Sequence, residues 1–270
     1  MMKKAIVIPL FLILFGCTKS GEVVTQESIT VEIVAPTTSQ RISNNVEYAL
    51  QVSTSEPVRW VEYFLDGVSI GTAPTAPHTI KWVPKNVDGG EHILSVTATS
   101  FKINSFKTEQ KIQVRLNVGD DFKGGRIFQL TGVNSGLISS TRDLQSNSGS
   151  KFIWSSANTL IGANSTNGNE NTLKMAAASS TEAEAGYHFK TGYQYNGYDD
   201  WYIPSFDELN TLKENMFYVG GFEENVKDAY YWSSTELTAS QAQLQNMTAL
   251  VGTQQQKGVN AYRIRPIRKF

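Results

Sequence analysis

The chain has 270 residues, room for one large or two ordinary domains, with 40% hydrophobic and 11% aromatic residues available for cores. Its formal net charge of −1 removes any general electrostatic case for nucleic-acid binding. A single cysteine leaves no partner for an intrachain disulfide and no basis for a zinc–thiolate cluster.

The chain opens MMKKAIVIPLFLILFGCTKS. Lys3 and Lys4 form a basic start, and Ala5 to Phe15 is an apolar run of signal-peptide length, short for a membrane span. Leu14-Phe15-Gly16-Cys17 resembles a bacterial lipobox. The resemblance implies cleavage before Cys17 and lipid attachment to Cys17, with 1–16 as lipoprotein signal peptide and 17–28 as a lipid-anchored tether. Two or three acyl chains anchor stably where one does not. The implied location is the bacterial outer membrane, with the periplasmic and cell-surface faces both open. An ordinary signal peptide with an incidental cysteine is the alternative.

Residues 29–117 read as β. Val46, Tyr48, Leu50 and Val52 alternate, as do Leu94, Val96 and Ala98, then Ile112, Val114 and Leu116. Asp66-Gly67 and Asp88-Gly89-Gly90 are turn signals. Short strands at this spacing predict a sandwich. The run Val61-Glu62-Tyr63-Phe64-Leu65-Asp66-Gly67, then Ile70-Gly71, Pro77 before Trp82, and Gly90-Glu91-His92 resembles the bacterial Ig-like domains. That resemblance implies a spacer or an adhesion module. Trp60 and Trp82 read as core or strand-face residues, and His78 and His92 as surface or strand-end residues rather than metal ligands.

Asn117 to Asp121 is a polar joint, and a second domain occupies 120–270. Gly124 to Phe128 reads as a turn into a strand, Gly136 to Ser140 as a second strand, and Asn171 to Ser180 as a helix. The acid-rich stretch YDDWYIPSFDEL, Tyr198 to Leu209, poses the question of paired catalytic carboxylates. Ser205-Phe206-Asp207-Glu208 is instead a capping box: Ser205 accepts from the Glu208 N–H while Glu208 reaches back to that of Ser205. Pro204 holds Ile203 extended, and Asp207 favours the positive end of the helix dipole. Phe206, Leu209, Leu212 and Met216 then form one apolar stripe. Asp199 and Asp200, after Asn196-Gly197, suit a turn. Calcium held by one of them with loop carbonyls stays open, without EF-hand spacing behind it. No cofactor is called for. His188 is this domain's only histidine, and Ser233 lacks a Gly-x-Ser-x-Gly setting, so the chain reads as a non-enzyme.

Gly124 to Phe128, Gly136 to Ile138, Asn171-Thr172, Gly197 to Ser205, Glu208-Leu209, Gly220-Gly221-Phe222, Tyr231 to Glu236 and the closing Arg263 to Arg268 occur in order. Together they resemble the family called domain of unknown function 1566, which includes the C-terminal domain of a Legionella collagen-like adhesin and is similar to the Fibrobacter major paralogous domain. The resemblance implies an α+β, C-type-lectin-like fold. The whole is then multi-domain, an all-β Ig-like sandwich followed by a lectin-like head. Trp201, Pro204, Ser205, Glu208 and Trp232 would be structural motif residues, and the loops after Ser234 the ligand face. It also implies glycan recognition, including sulfated glycans. The sequence departs from the family where an aromatic is expected, reading Ala239-Ser240-Gln241-Ala242-Gln243-Leu244.

Gln241, Gln243, Gln245 and Asn246, then Gln254, Gln255, Gln256 and Asn260, are amide-rich, and an amide offers both a donor and an acceptor to a hydroxyl-rich ligand. Arg263, Arg265 and Arg268 alternate with apolar residues, and arginine suits sulfate or carboxylate. Arg265 or Arg268 could instead pair with Glu236 or the helix acids. The candidate ligand residues are therefore Gln241, Gln243, Gln245, Asn246, Gln254, Asn260 and Arg263. The expected function is an envelope binding or adhesion protein recognising a glycan or anionic polymer. The alternative is an assembly protein docking to another envelope protein. The membrane is a partner through the lipid.

Overall fold

Alternation in the first half of the chain places its apolar side chains between two sheets. The computed structural model describes residues 26–147, 149–249 and 252–270. The expected signal peptide, Cys17 and most of the tether lie outside the described residues. The first strands are β1 (Val31–Ala35), β2 (Arg41–Ile42), β3 (Tyr48–Thr54), β4 (Trp60–Leu65), β5 (Val68–Ala73), β6 (Ile80–Trp82), β7 (Gly90–Thr99) and β8 (Ser105–Val114). One sheet runs β1-β3-β6 and the other β2-β8-β7-β4-β5. Leu50, Val61, Tyr63, Leu94, Val96, Ala98 and Ile112 are fully buried in one shared core. Each such aliphatic side chain stabilises by about 1.5–3 kcal/mol. The longest hairpin pairs β7 with β8 from Gly90 opposite Val114 to Thr99 opposite Ser105.

Three expectations for this half need correction. Val46 precedes β3 and is exposed. Leu116 lies beyond β8 and is buried with Phe122, Ile127 and Trp201 of the following domain. His78 is buried rather than at the surface: its Nδ1 lies 3.2 Å from the Ala73 carbonyl, and the Tyr63 hydroxyl donates to the His78 carbonyl at 2.5 Å. His92 is half-buried and pairs with Asp66 at 2.6 Å.

The second half contains β9 (Asp121–Phe122), β10 (Gly125–Gly132), β11 (Ser135–Ser139), α1 (Gly168–Ala178), a single 3-10 turn (Ala185–Phe189), β12 (Tyr193–Tyr195) and β13 (Tyr198–Trp201). It continues with α2 (Phe206–Glu214), α3 (Met216–Val219), β14 (Tyr230–Glu236), β15 (Gln241–Asn246), β16 (Gly252–Gln256) and β17 (Ile267–Lys269). The sheets are β17-β11-β10-β9, β12-β13 and β14-β15-β16. Among the described residues, no helix is long and apolar enough to cross a membrane.

Helix α1 begins three residues before its expected start because Asn167 caps it, accepting from the Asn169 N–H. The capping box of α2 forms as its spacing predicts: Ser205 Oγ accepts from Glu208 N at 3.3 Å, and Glu208 Oε2 from Ser205 N at 2.9 Å. The same oxygen accepts from Gly168 N at 3.1 Å, and Glu208 Oε1 from the Tyr202 hydroxyl at 3.0 Å. One carboxylate thus ties together the starts of both helices. Gly168 permits this approach, since a Cβ there would lie 2.5 Å from Glu208 Oε2 and from the Ile203 carbonyl oxygen.

Of the motif residues, Trp201, Pro204, Ser205 and Trp232 are buried and Glu208 is half-buried. Trp201 donates to the Tyr195 carbonyl at 3.0 Å, Trp232 to that of Phe152 at 2.9 Å, and both indoles are buried. The Pro204 carbonyl accepts from Ser234 N at 2.7 Å. Asp199 and Asp200 are not in the turn but in β13, because Asn196 and Gly197 take the positive φ angles that reverse the chain. Asp200 receives a bidentate fork from Arg268, at 2.6 Å from Nε and 2.9 Å from Nη2.

The two halves meet across a polar seam. Asn45 Nδ2 donates to the Asp121 carbonyl at 2.9 Å, Lys123 N to Asn86 Oδ1 at 2.6 Å, and Gly89 N to Asn134 Oδ1 at 3.2 Å.

Candidate functional site

The amphipathic stripe of α2 does not close completely over the core. Leu209 and Leu212 are buried, while Phe206 and Met216 stay half-buried and line a cleft of about 1180 Å³. Its floor includes Asn210, Gln245 and Met247; one wall is Gly220, Gly221 and Phe222. Phe217 stands at its edge, 91% exposed. A shallower hollow of about 440 Å³ shares Phe206 and Gly252 with the cleft, and Leu237, Gln243, Thr253 and Gln254 line it. The two form a trough with an aromatic end and an amide end. Phe206 sits at their junction, held by its N–H donating to Thr235 Oγ1 at 2.9 Å.

The glycine wall is fixed from behind. Arg265 has no exposed surface; it donates to the carbonyls of Gly220 at 3.1 Å and Gly221 at 2.5 Å, and to Asp143 Oδ1 at 2.8 Å. Its guanidinium lies 3.9 Å from the Phe222 ring centroid. Arg126 donates to the Val219 carbonyl at 3.0 Å, and Arg263 pairs with Glu223 at 2.5 Å. The Tyr231 hydroxyl accepts from Glu223 N at 2.9 Å and donates to Asp143 Oδ2 at 3.0 Å. Burial, with the neighbouring Asp143 carboxylate, keeps that phenol protonated far above its ordinary range.

Of the expected ligand residues, the trough gathers Gln243, Gln245 and Gln254. Gln243 sits opposite Gln254 across β15 and β16. Gln245 is buried, not exposed as a ligand face requires, and its Nε2 donates to Asn210 Oδ1 at 2.6 Å. Asn246 is likewise buried: its Oδ1 accepts from the N–H groups of Thr248 and Ala249, which fixes the turn after β15, and its Nδ2 donates to Val226. Gln241 lies elsewhere on β15, facing Gln256. Asn260 donates to Gln255 Oε1 at 3.2 Å, outside the trough. Arg263 is engaged with Glu223 and lies 3.5 Å from Asp143, so its charge is met within the chain.

Of the two acids named for calcium, Asp200 is held by Arg268, and Asp199 is exposed on β13. Among the described residues, no group of three or more His, Cys, Asp or Glu side chains is arranged to hold a metal ion. The buried acids Glu184 and Glu236 are also engaged internally. Glu184 accepts from the N–H groups of Ser156, Ser180 and Thr181, and Glu236 from those of Ile161 and Gly162.

The aromatic lining escaped the sequence reading. Phe206 belongs to the helix stripe by its spacing, yet it is only half-buried and lines the cleft. Phe217 and Phe222 carry a usable signal: large apolar residues beside Gly220-Gly221, at a helix end, where no apolar period continues.

Residues 30–96 match the bacterial Ig domain family. No curated protein sequence matches the chain. Among solved structures, fibronectin(III)-like modules of Clostridium thermocellum CbhA are 22% identical, covering 32% of this chain and 93% of theirs, with a TM-score of 0.26. The superoxide reductase neelaredoxin from Ignicoccus hospitalis is 16% identical, covering 32% of this chain and 80% of its own, with a TM-score of 0.25. A Bacteroides uniformis beta-glucuronidase is 18% identical over 33% of this chain and 11% of its own, with a TM-score of 0.26.

Proposed function

We propose that the chain is a cell-envelope lipoprotein of the bacterial outer membrane, anchored through Cys17, that binds a glycan without catalysing its turnover. The Ig domain serves as stalk, and the C-terminal domain as a head of C-type-lectin-like kind. One observation supports this above the others: Phe206, Phe217 and Phe222 line the cleft, and the hollow that adjoins it at Phe206 is lined by the amides of Gln243 and Gln254. Sugars present apolar C–H faces and hydroxyl edges, which aromatic rings and amides respectively match. The aromatic contribution missing from the hairpin sequence is supplied here by the helical segments. Asparagine and glutamine tips can each donate and accept, whereas a catalytic pair would need two carboxylates facing one another across the trough.

The test is a broad glycan array probed with the full chain, beside Phe217→Ala and the double variant Gln243→Ala/Gln254→Ala. Phe217 is nearly free of the core, so its loss leaves folding intact. Binding by the parent, weakened by about tenfold in Phe217→Ala, supports the reading, since one ring stacked on a ligand is worth on the order of 1 kcal/mol or more. A folded parent silent on every glycan overturns it. Phe217 and Tyr218, exposed side by side on α3, then favour docking to an envelope protein.

A further inference from the structure

The charges around the trough restrict what kind of glycan it takes; this inference rests on the glycan reading above. Arginine is the usual partner of sulfate and carboxylate, and the sequence brings three to the end of the domain. The fold turns all three inward. Arg263 goes to Glu223 and Asp143, Arg265 to Asp143 and the glycine carbonyls, and Arg268 to Asp200. Arg265 forms the back of the cleft wall but shows no surface to the cleft.

The charged side chains that do line the trough are Lys213, Glu214 and Glu224. Lys213 is half-buried, and its ammonium donates to the Ala249 carbonyl. Glu214 and Glu224 are exposed and form no ion pair among the described residues. An incoming anion would therefore meet two unpaired carboxylates against a single ammonium. Hydroxyls and C–H faces meet amides and rings instead.

We infer that the trough selects glycans free of carboxylate and sulfate groups. An acidic unit in the cleft loses its hydration, gains no arginine and is repelled by Glu214 and Glu224. Neutral and amine-bearing units incur no such penalty.

The experiment titrates the full chain calorimetrically at low ionic strength. The probes are cello-, xylo-, manno- and chitohexaose, a glucosamine hexamer, and hexamers of galacturonate, glucuronate and heparin. At least one neutral or amine-bearing oligomer is expected to bind, with every acidic one about tenfold weaker or more. In Glu214→Gln/Glu224→Gln the gap should narrow, because the two surface charges have gone; added salt should narrow it in the parent as well. An acidic hexamer that binds as tightly as the best neutral one overturns the inference and leaves glycan binding standing. Silence toward all of the oligomers from a chain that binds on the glycan array overturns the inference alone, and silence in both experiments overturns both.

Discussion

Lys257 and Glu236 form an ion pair at 2.8 Å in which each side chain is only 1% exposed. Lys257 also donates to the Thr159 carbonyl at 2.9 Å and lies 5.1 Å from the Trp154 ring centroid. Glu236 accepts from the N–H groups of Ile161 at 3.0 Å and Gly162 at 2.8 Å. The pair therefore fastens the 159–163 segment to the β14–β16 sheet. Burial opposes ionisation of Glu236, but Lys257 and the N–H donors outweigh it and hold the pKa below the ordinary glutamate value.

Breaking this pair from one side should be far worse than removing both charges. Lys257→Met leaves Glu236 buried without its counter-ion and should cost about 3–5 kcal/mol in urea unfolding. Adding Glu236→Gln, which keeps an acceptor for the segment's N–H groups, should recover part of that loss. A single variant costing under about 1 kcal/mol would show that the segment contributes little to stability.

Glu184 predicts an acid limb in the stability profile. Burial raises its pKa, but N–H donors from Ser156, Ser180 and Thr181 prevail and hold it at about 2, against 4.5 for a free glutamate. A depressed folded pKa means that the stabilisation is complete above the unfolded value and disappears as pH falls through the folded one. The window thus runs from about pH 4.5 down to about pH 2, with a total on the order of 3 kcal/mol. Glu184→Gln should lower stability at pH 7 and flatten that limb. Parallel profiles for the two proteins between pH 5 and pH 2 would refute the assignment.

Gly89 guards the seam between the domains. A Cβ there would lie 2.1 Å from the Val133 carbonyl oxygen and 3.3 Å from Leu116 Cγ, and backbone cannot yield as a side-chain tip does. Gly89→Ala should push the turn after β10 away from the Ig domain. In solution scattering the variant should show a broader distribution of interatomic distances, with the near-ultraviolet dichroism of the buried tryptophans unchanged. Superimposable scattering curves would mean that the seam adjusts without opening.

What was legible in the sequence was local. The capping box at Ser205 and Glu208 depends on four consecutive residues and appears as the spacing requires. The Ig sandwich follows from period-two alternation, which a buried sheet face enforces. Partner choice across long separations was not legible. Arg265 and Arg268 had several acids as candidate partners, yet they take Asp143 and Asp200, while Glu236 takes Lys257. Composition cannot rank such alternatives, because the winner is decided by which strands lie side by side. The amide run misled for a related reason. Alternation turns Gln243 toward the trough, but at the end of β15 Gln245 is buried against Asn210 of α2 and Asn246 is buried to secure the next turn. The cleft itself exists because α2 and the loop at Gly220 converge on one hairpin, a meeting that no short window of sequence records.

The pairing of β17 with β11 sets a timetable. Lys269 faces Leu137, Arg268 faces Ile138 and Ile267 faces Ser139, contacts spanning almost the whole second domain. The four-stranded sheet of that domain therefore cannot close until residue 269 has reached the compartment in which the chain folds. The sandwich strands, which end at Val114, have no such wait and can pair before the C-terminal segment arrives. A chain still arriving thus carries one sandwich able to finish and one open sheet edge, and it is the second that would call for a chaperone.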